Sequence, residues 1–199
     1  MNRILQGFSL ALLLLAAVSP ASAQTDPAAA TVQGFYDALT ASMKAGGAAK
    51  ARYEKLKPAV EQGFDLAGMT ALSVGPTWGS IAPADQQALT DAFSRFTVAN
   101  YVRNFDSYHG EKFTVDSAVS QRGTDKYVRS TLQPPSGDPV ALNYRLHQIG
   151  GNWKIVDVYL AGNISTLAQK RADFASTLAS GGPQGLAKQI NALADKALS

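Results

Sequence analysis

The segment WKIVDVYLA, Trp153 to Ala161, constrains the fold more than any other part of the chain. Rich in Val, Ile, Tyr and Trp, it reads as a β-strand. Successive side chains of a strand point to opposite faces. Trp153, Ile155 and Tyr159 then share one face, and Val156, Val158 and Leu160 share the other. An antiparallel sheet normally turns one face to water and alternates accordingly. A strand that is apolar on both sides needs a second apolar cover, supplied by protein or by ligand.

The rest of the sheet is read from turn chemistry. Gly150-Gly151 has the form of a two-residue hairpin turn leading back into a strand of alternating Leu142, Tyr144 and Leu146. In that register Leu146 faces Ile155, Tyr144 faces Asp157 and Leu142 faces Tyr159. The loop Pro134–Pro139 separates this strand from another over Tyr127–Leu132, and Lys112–Val119 alternates as a fourth. Short connections predict a four-stranded antiparallel meander. Its apolar face carries Phe113, Val115, Val119, Val128, Leu132, Leu142, Tyr144, Leu146, Ile155 and Tyr159.

Helical patterns flank the sheet in sequence. Pro27 opens one that carries Val32, Phe35, Tyr36, Leu39 and Met43. A second runs from about Ala49 to Gly63 and is interrupted near Pro58. Asp65 caps a short third with Leu66, Met69 and Leu72. Pro83 begins the longest, to about Tyr108, whose stripe includes Phe93, Phe96, Tyr101, Phe105 and Tyr108. Ser165 caps a helix that ends at Gly181-Gly182, and Pro183 starts the last. The order helices, strands, helices predicts an α+β domain over residues 24–199.

An aromatic stripe facing an apolar sheet makes an ordinary core. The alternative is incomplete closure, which leaves a dry cavity for an apolar ligand. Asp157 stands out among apolar neighbours, where a carboxylate must be hydrogen-bonded. It is expected to be structural, accepting from Tyr144 and pairing with Arg171 to strap the following helix to the sheet.

The N-terminal residues 1–23 read as a cleaved export signal: Arg3, the apolar run Phe8–Val18, then Ala21-Ser22-Ala23. That run is shorter than the ~20 residues a spanning helix needs. With no cysteine, the chain has no disulfide, thiol nucleophile or lipid attachment site. A formal net charge of +3 gives no footprint for nucleic acid. The 2 histidines stand in no metal-binding spacing, and the hydrolase, nucleotide and dinucleotide motifs are missing, so neither catalytic residues nor a metal site are expected.

Three segments, FDLAGMTALSVGPTW (64–78), APADQQALTDAFSRFTVANYVRNFDSYHGEKFTV (82–115) and WKIVDVYLAGNISTLAQKRADFASTL (153–178), resemble the MlaC/toluene-tolerance family of periplasmic lipid-binding proteins. The run DVYLAGNISTLAQKRADF is most similar to its hopanoid-associated branch, HpnM. One departure is Ala82, which precedes Pro83 where a Ser or Thr cap is usual. The resemblance implies a deep hydrophobic cavity between sheet and helices, with bound lipid as cargo and no cofactor. It implies phospholipid or hopanoid as ligand, and exchange with an inner-membrane transporter, ABC or RND type, and an outer-membrane acceptor complex. The expected tail-binding residues are Phe93, Phe96, Tyr101, Phe113, Val115, Val128, Leu132, Leu142, Tyr144, Leu146, Ile155 and Tyr159. Two other readings remain: an adaptor of a membrane complex without cargo, and a secreted hydrolase with an acidic site.

Overall fold

A computed structural model describes residues 25–199, so the expected signal segment lies outside the described residues. Among the described residues, four helices precede a seven-stranded antiparallel sheet and a fifth helix follows it. They are α1 (Pro27–Ala45), α2 (Ala49–Gly63), α3 (Leu66–Val74), α4 (Pro83–Asn104), β1 (Lys112–Val115), β2 (Ser120–Arg122), β3 (Asp125–Val128), β4 (Ser130–Gln133), β5 (Val140–Ile149), β6 (Asn152–Leu160), β7 (Ile164–Ser165) and α5 (Thr166–Leu198). A short 3-10 turn, Pro76–Ser80, joins α3 to α4.

Caps define several of these boundaries. Asp26 accepts from the Ala28 amide, Asp65 from Gly68 and Ser165 from Ala168, each holding an amide that the first helical turn leaves unpaired. Ala82 offers α4 no side-chain cap. Pro58 does not interrupt α2 as the sequence reading has it; the helix continues through it to Gly63. Leu72, expected on the packed face of α3, is 48% exposed. At the other end of the chain, Gly182 (φ +63°) and Pro183 kink α5 where two helices are expected.

The four-stranded meander is corrected to seven strands. The strand expected over Tyr127–Leu132 comes as two short ones, β3 and β4; the one expected over Lys112–Val119 ends at Val115, and β2 and β7 are strands the sequence reading does not include. The break falls where the Asp116 amide donates to the Arg129 carbonyl, between the β1–β4 and β2–β3 ladders. Both β3 and β4 pair with β5, which in turn pairs with β6. Gly150 and Gly151 have φ of +55° and +84°, as a two-residue turn of this hand requires.

The β5–β6 register answers the question of the doubly apolar strand. Ile149 pairs with Asn152 and Leu146 with Ile155, as expected. Beyond that point Arg145 pairs with Asp157, so Val156 has no partner and forms a bulge. One extra residue reverses the alternation of everything after it. Tyr144 therefore pairs with Val158 and Leu142 with Leu160, where the sequence register has Asp157 and Tyr159. Trp153, Ile155, Val158 and Leu160 all lie on the helix-covered face, and Tyr159 moves to the opposite one. Most of the apparent second apolar face is the first face, displaced by the bulge.

The helices cover the inner face of the sheet. Phe35, Phe64 and Tyr101 meet edge to face, with Phe35–Phe64 and Phe35–Tyr101 centroids 5.0 and 4.8 Å apart. Tyr36 stacks on Phe113 at 4.4 Å and donates to Ser130 Oγ, which itself donates to the Leu142 carbonyl. The junction of α2 and α3 lies along β6, where the Asp65 amide donates to the Ile155 carbonyl at 2.9 Å. Arg52 of α2 is buried and donates to the Val102, Phe105 and Asp106 carbonyls, holding the C-terminal end of α4. Leu146, Ile155 and Val128 are fully sealed between sheet and helices.

Candidate binding cavity

Between α4, the start of α5 and the inner face of the sheet, the helices do not close. They leave a cavity of roughly 330 Å³. The wall is built from five places: Tyr36 and Leu39 of α1, Phe64 and Met69 at the α2–α3 junction, and Phe93, Thr97, Asn100, Tyr101, Asn104 and Phe105 of α4 and its end. The sheet adds Leu132, Leu142, Tyr144, Val158 and Leu160, and α5 adds Thr166, Leu167 and Lys170. The volume falls within the ~300–1,000 Å³ of typical ligand cavities.

The depth of the cavity is largely apolar and uncharged. Tyr36, Leu39, Phe93 and Tyr144 are buried, whereas Leu160 is 40% exposed and Asn104 faces solvent, which marks the open end. Burial pushes the phenols of Tyr36, Tyr101 and Tyr144 above their ordinary value. Neighbouring rings add to the rise at Tyr101 and Tyr144, while hydrogen bonds with Ser130 and Tyr144 offset part of it at Tyr36; all three remain neutral at physiological pH. The lining holds no carboxylate; Lys170 is its one charged residue. Such a space accepts hydrocarbon and offers no general acid or base at depth.

Of the twelve tail-binding residues expected from sequence, the structure brings five to this wall: Phe93, Tyr101, Leu132, Leu142 and Tyr144. Phe113 sits behind the wall, stacked on Tyr36. Phe96 lies beside it with the Lys170 ammonium 5.1 Å from its ring centroid. Val115 packs half-buried against the core, and Val128, Leu146 and Ile155 are closed within it. Tyr159 lies across the sheet in a polar groove with Tyr127, Arg129 and Asn143, because the bulge has turned it outward.

The sequence register also places Val158 and Leu160 on the wrong face. Tyr36 and Leu39 belong to a recognised apolar stripe, but nothing in that stripe separates cavity wall from core. Asn100 and Asn104 follow Phe93 and Thr97 at helical spacing, a sequence signal that places them on the cavity side of α4.

Asp157 lies under the turn that leads into α5, only 5% exposed. Its Oδ1 accepts from the Val158 amide at 2.8 Å and the Leu167 amide at 3.2 Å, and Oδ2 accepts from Ser165 Oγ at 2.5 Å. The carboxylate thus straps α5 to the sheet, with partners other than those expected. Tyr144 points to the opposite face of the sheet. Arg171 lies instead against Gly75, where a Cβ would sit 2.5 Å from its guanidinium.

A helix-covered antiparallel sheet with an apolar cavity beneath it defines an α+β protein with room for a ligand. The MlaC protein family model matches residues 30–192, and the chain belongs to that family. Its fold is similar to that of a phospholipid-binding protein from Ralstonia solanacearum, whose structure was solved in complex with a phospholipid. The TM-score is 0.75 at 22% identity, and the alignment covers 87% of this chain and 100% of the other.

Proposed function

We propose that this chain is a periplasmic, non-catalytic carrier of membrane lipid, which holds an acyl chain in the cavity beneath the sheet. One observation carries the reading: an apolar space between sheet and helices whose deep wall is buried and uncharged. Membership of the MlaC family and the lipid bound by the similarly folded Ralstonia protein support it. Exposing two acyl chains of about 16 carbons to water costs on the order of 25 kcal/mol, at ~0.8 kcal/mol per methylene. A carrier must hide much of that surface at every step between membranes.

In this reading the cargo is a phospholipid, and the chain, exported by residues 1–23, works as one domain over 24–199. It passes lipid between an inner-membrane transporter, ABC or RND type, and an outer-membrane acceptor. The DVYLAGNISTLAQKRADF run favours a hopanoid as the second candidate cargo, moved with an RND-type partner. Native mass spectrometry and organic extraction of protein purified from a bacterial periplasm test the carrier role. About one lipid per chain is expected. A chain that is always lipid-free, and cannot be loaded from vesicles, contradicts it and favours the adaptor.

A further inference from the structure

The polar residues of the cavity are not scattered. Thr97, Asn100 and Asn104 follow one another on one face of α4, and Thr166 and Lys170 on one face of α5. Asn104 is exposed and Asn100, Thr166 and Lys170 are half-buried, so these groups gather toward the open end. The two threonines are already engaged: Thr97 Oγ1 donates to the Phe93 carbonyl at 2.8 Å, and Thr166 Oγ1 donates weakly to Asp157 at 3.4 Å. Among the described residues, the side-chain amides of Asn100 and Asn104 make no such bond. Lys170 Nζ is 3.5 Å from Asp173 Oδ2, but that carboxylate's side chain is 60% exposed, and a pair of this kind holds a cation weakly.

The start of α5 is itself no anion site. Its Leu167 amide is bound by Asp157 and its Ala168 amide by Ser165. Any anion arriving at the mouth meets Lys170, the sole charged residue of the lining, with two amide groups across the gap on α4.

We propose that Lys170, with Asn100 and Asn104, is a phosphodiester headgroup site that makes the cavity select phospholipid over neutral lipid with the same tails. This rests on the carrier reading above and adds a polar selection to it. A phosphodiester bears one negative charge and two unesterified oxygens that accept hydrogen bonds. Lysine supplies the countercharge, and the asparagine amides supply donors. A neutral glycerolipid brings no charge to pair with the lysine, and a fused-ring hydrocarbon brings neither charge nor acceptor.

The test is competition. Delipidated protein is offered mixed vesicles of dioleoyl phosphatidylglycerol and dioleoylglycerol, and native mass spectrometry reads the ratio taken up. The wild type should prefer the phospholipid about tenfold, equivalent to ~1.4 kcal/mol. Lys170→Gln should bring the ratio near one, and Lys170→Arg should keep it. If the Gln variant fails to fold or load, the Asn100→Ala/Asn104→Ala pair reads the same ratio and should lower it severalfold. A wild type without preference, or variants that keep it, overturns the proposal. So does a Lys170-dependent adduct of inorganic phosphate, offered alone, when lipid uptake shows no preference. Failure of every form to load either lipid contradicts the carrier reading instead.

Discussion

Asp157 shows how one residue ties the strand to the helix that closes the cavity. A buried carboxylate is stable only while its acceptors are filled, and here two backbone amides and a serine hydroxyl fill them. Truncation leaves those donors buried without a partner, at ~1–3 kcal/mol for each such group. The Ser165 hydroxyl is only part-buried, so the two buried amides set the scale. Asp157→Ala is therefore expected to destabilise the fold by about 2–6 kcal/mol, or roughly 5–20 °C in melting temperature. A thermal melt followed by circular dichroism checks this. Asp157→Asn keeps one acceptor oxygen and should lose less. An unchanged melting temperature for the alanine variant would remove the strap from the account. The sequence marked this residue correctly as a carboxylate in need of partners. It misassigned them, because Tyr144 and Asp157 share a face only if the strand has no bulge.

At the scale of the element, the bulge at Val156 decides which side chains meet the cavity. Turn chemistry fixed the start of the β5–β6 hairpin: Gly150-Gly151, Ile149 opposite Asn152 and Leu146 opposite Ile155 are all legible from residue type. Nothing in the local pattern marks Val156 as the unpaired residue, since a valine fits either position of a strand. Yet the puzzle of two apolar faces was itself the trace of the bulge, which turns Val158 and Leu160 to the same side as Ile155. Opposite outcomes are expected for neighbouring positions. Val158→Trp should fill the cavity and cut lipid co-purification several-fold while the protein stays folded. Tyr159→Ala, on the outer face, should leave lipid occupancy near the wild-type level. The reverse pattern in extracted lipid would restore the unbulged register.

At the scale of the molecule, the cavity exists because an aromatic helix layer and an apolar sheet face meet without closing. The α4 stripe and the inner sheet face are both visible in sequence, and so is the order of elements that stacks them. What periodicity cannot supply is the distance between the layers. Phe93 and Tyr101 line the cavity, whereas Leu146 and Ile155, equally apolar, are closed within the core. That difference is set by tertiary placement, not residue type. The short strands β1 to β4 were hidden for a related reason, as their break depends on how the ladders are shared with β5. The same placement produces a gradient along the space, from neutral tyrosines at depth to Asn104 and Lys170 at the opening, which suits a molecule with an oily end and a polar one. The most direct test locates the tail. Protein loaded with a phospholipid brominated in mid-chain, crystallised and measured at the bromine edge, should show anomalous density between Tyr36, Phe93, Tyr144 and Val158. Bromine found only in the outer groove beside Tyr127 and Tyr159, with the inner space empty, would contradict the account.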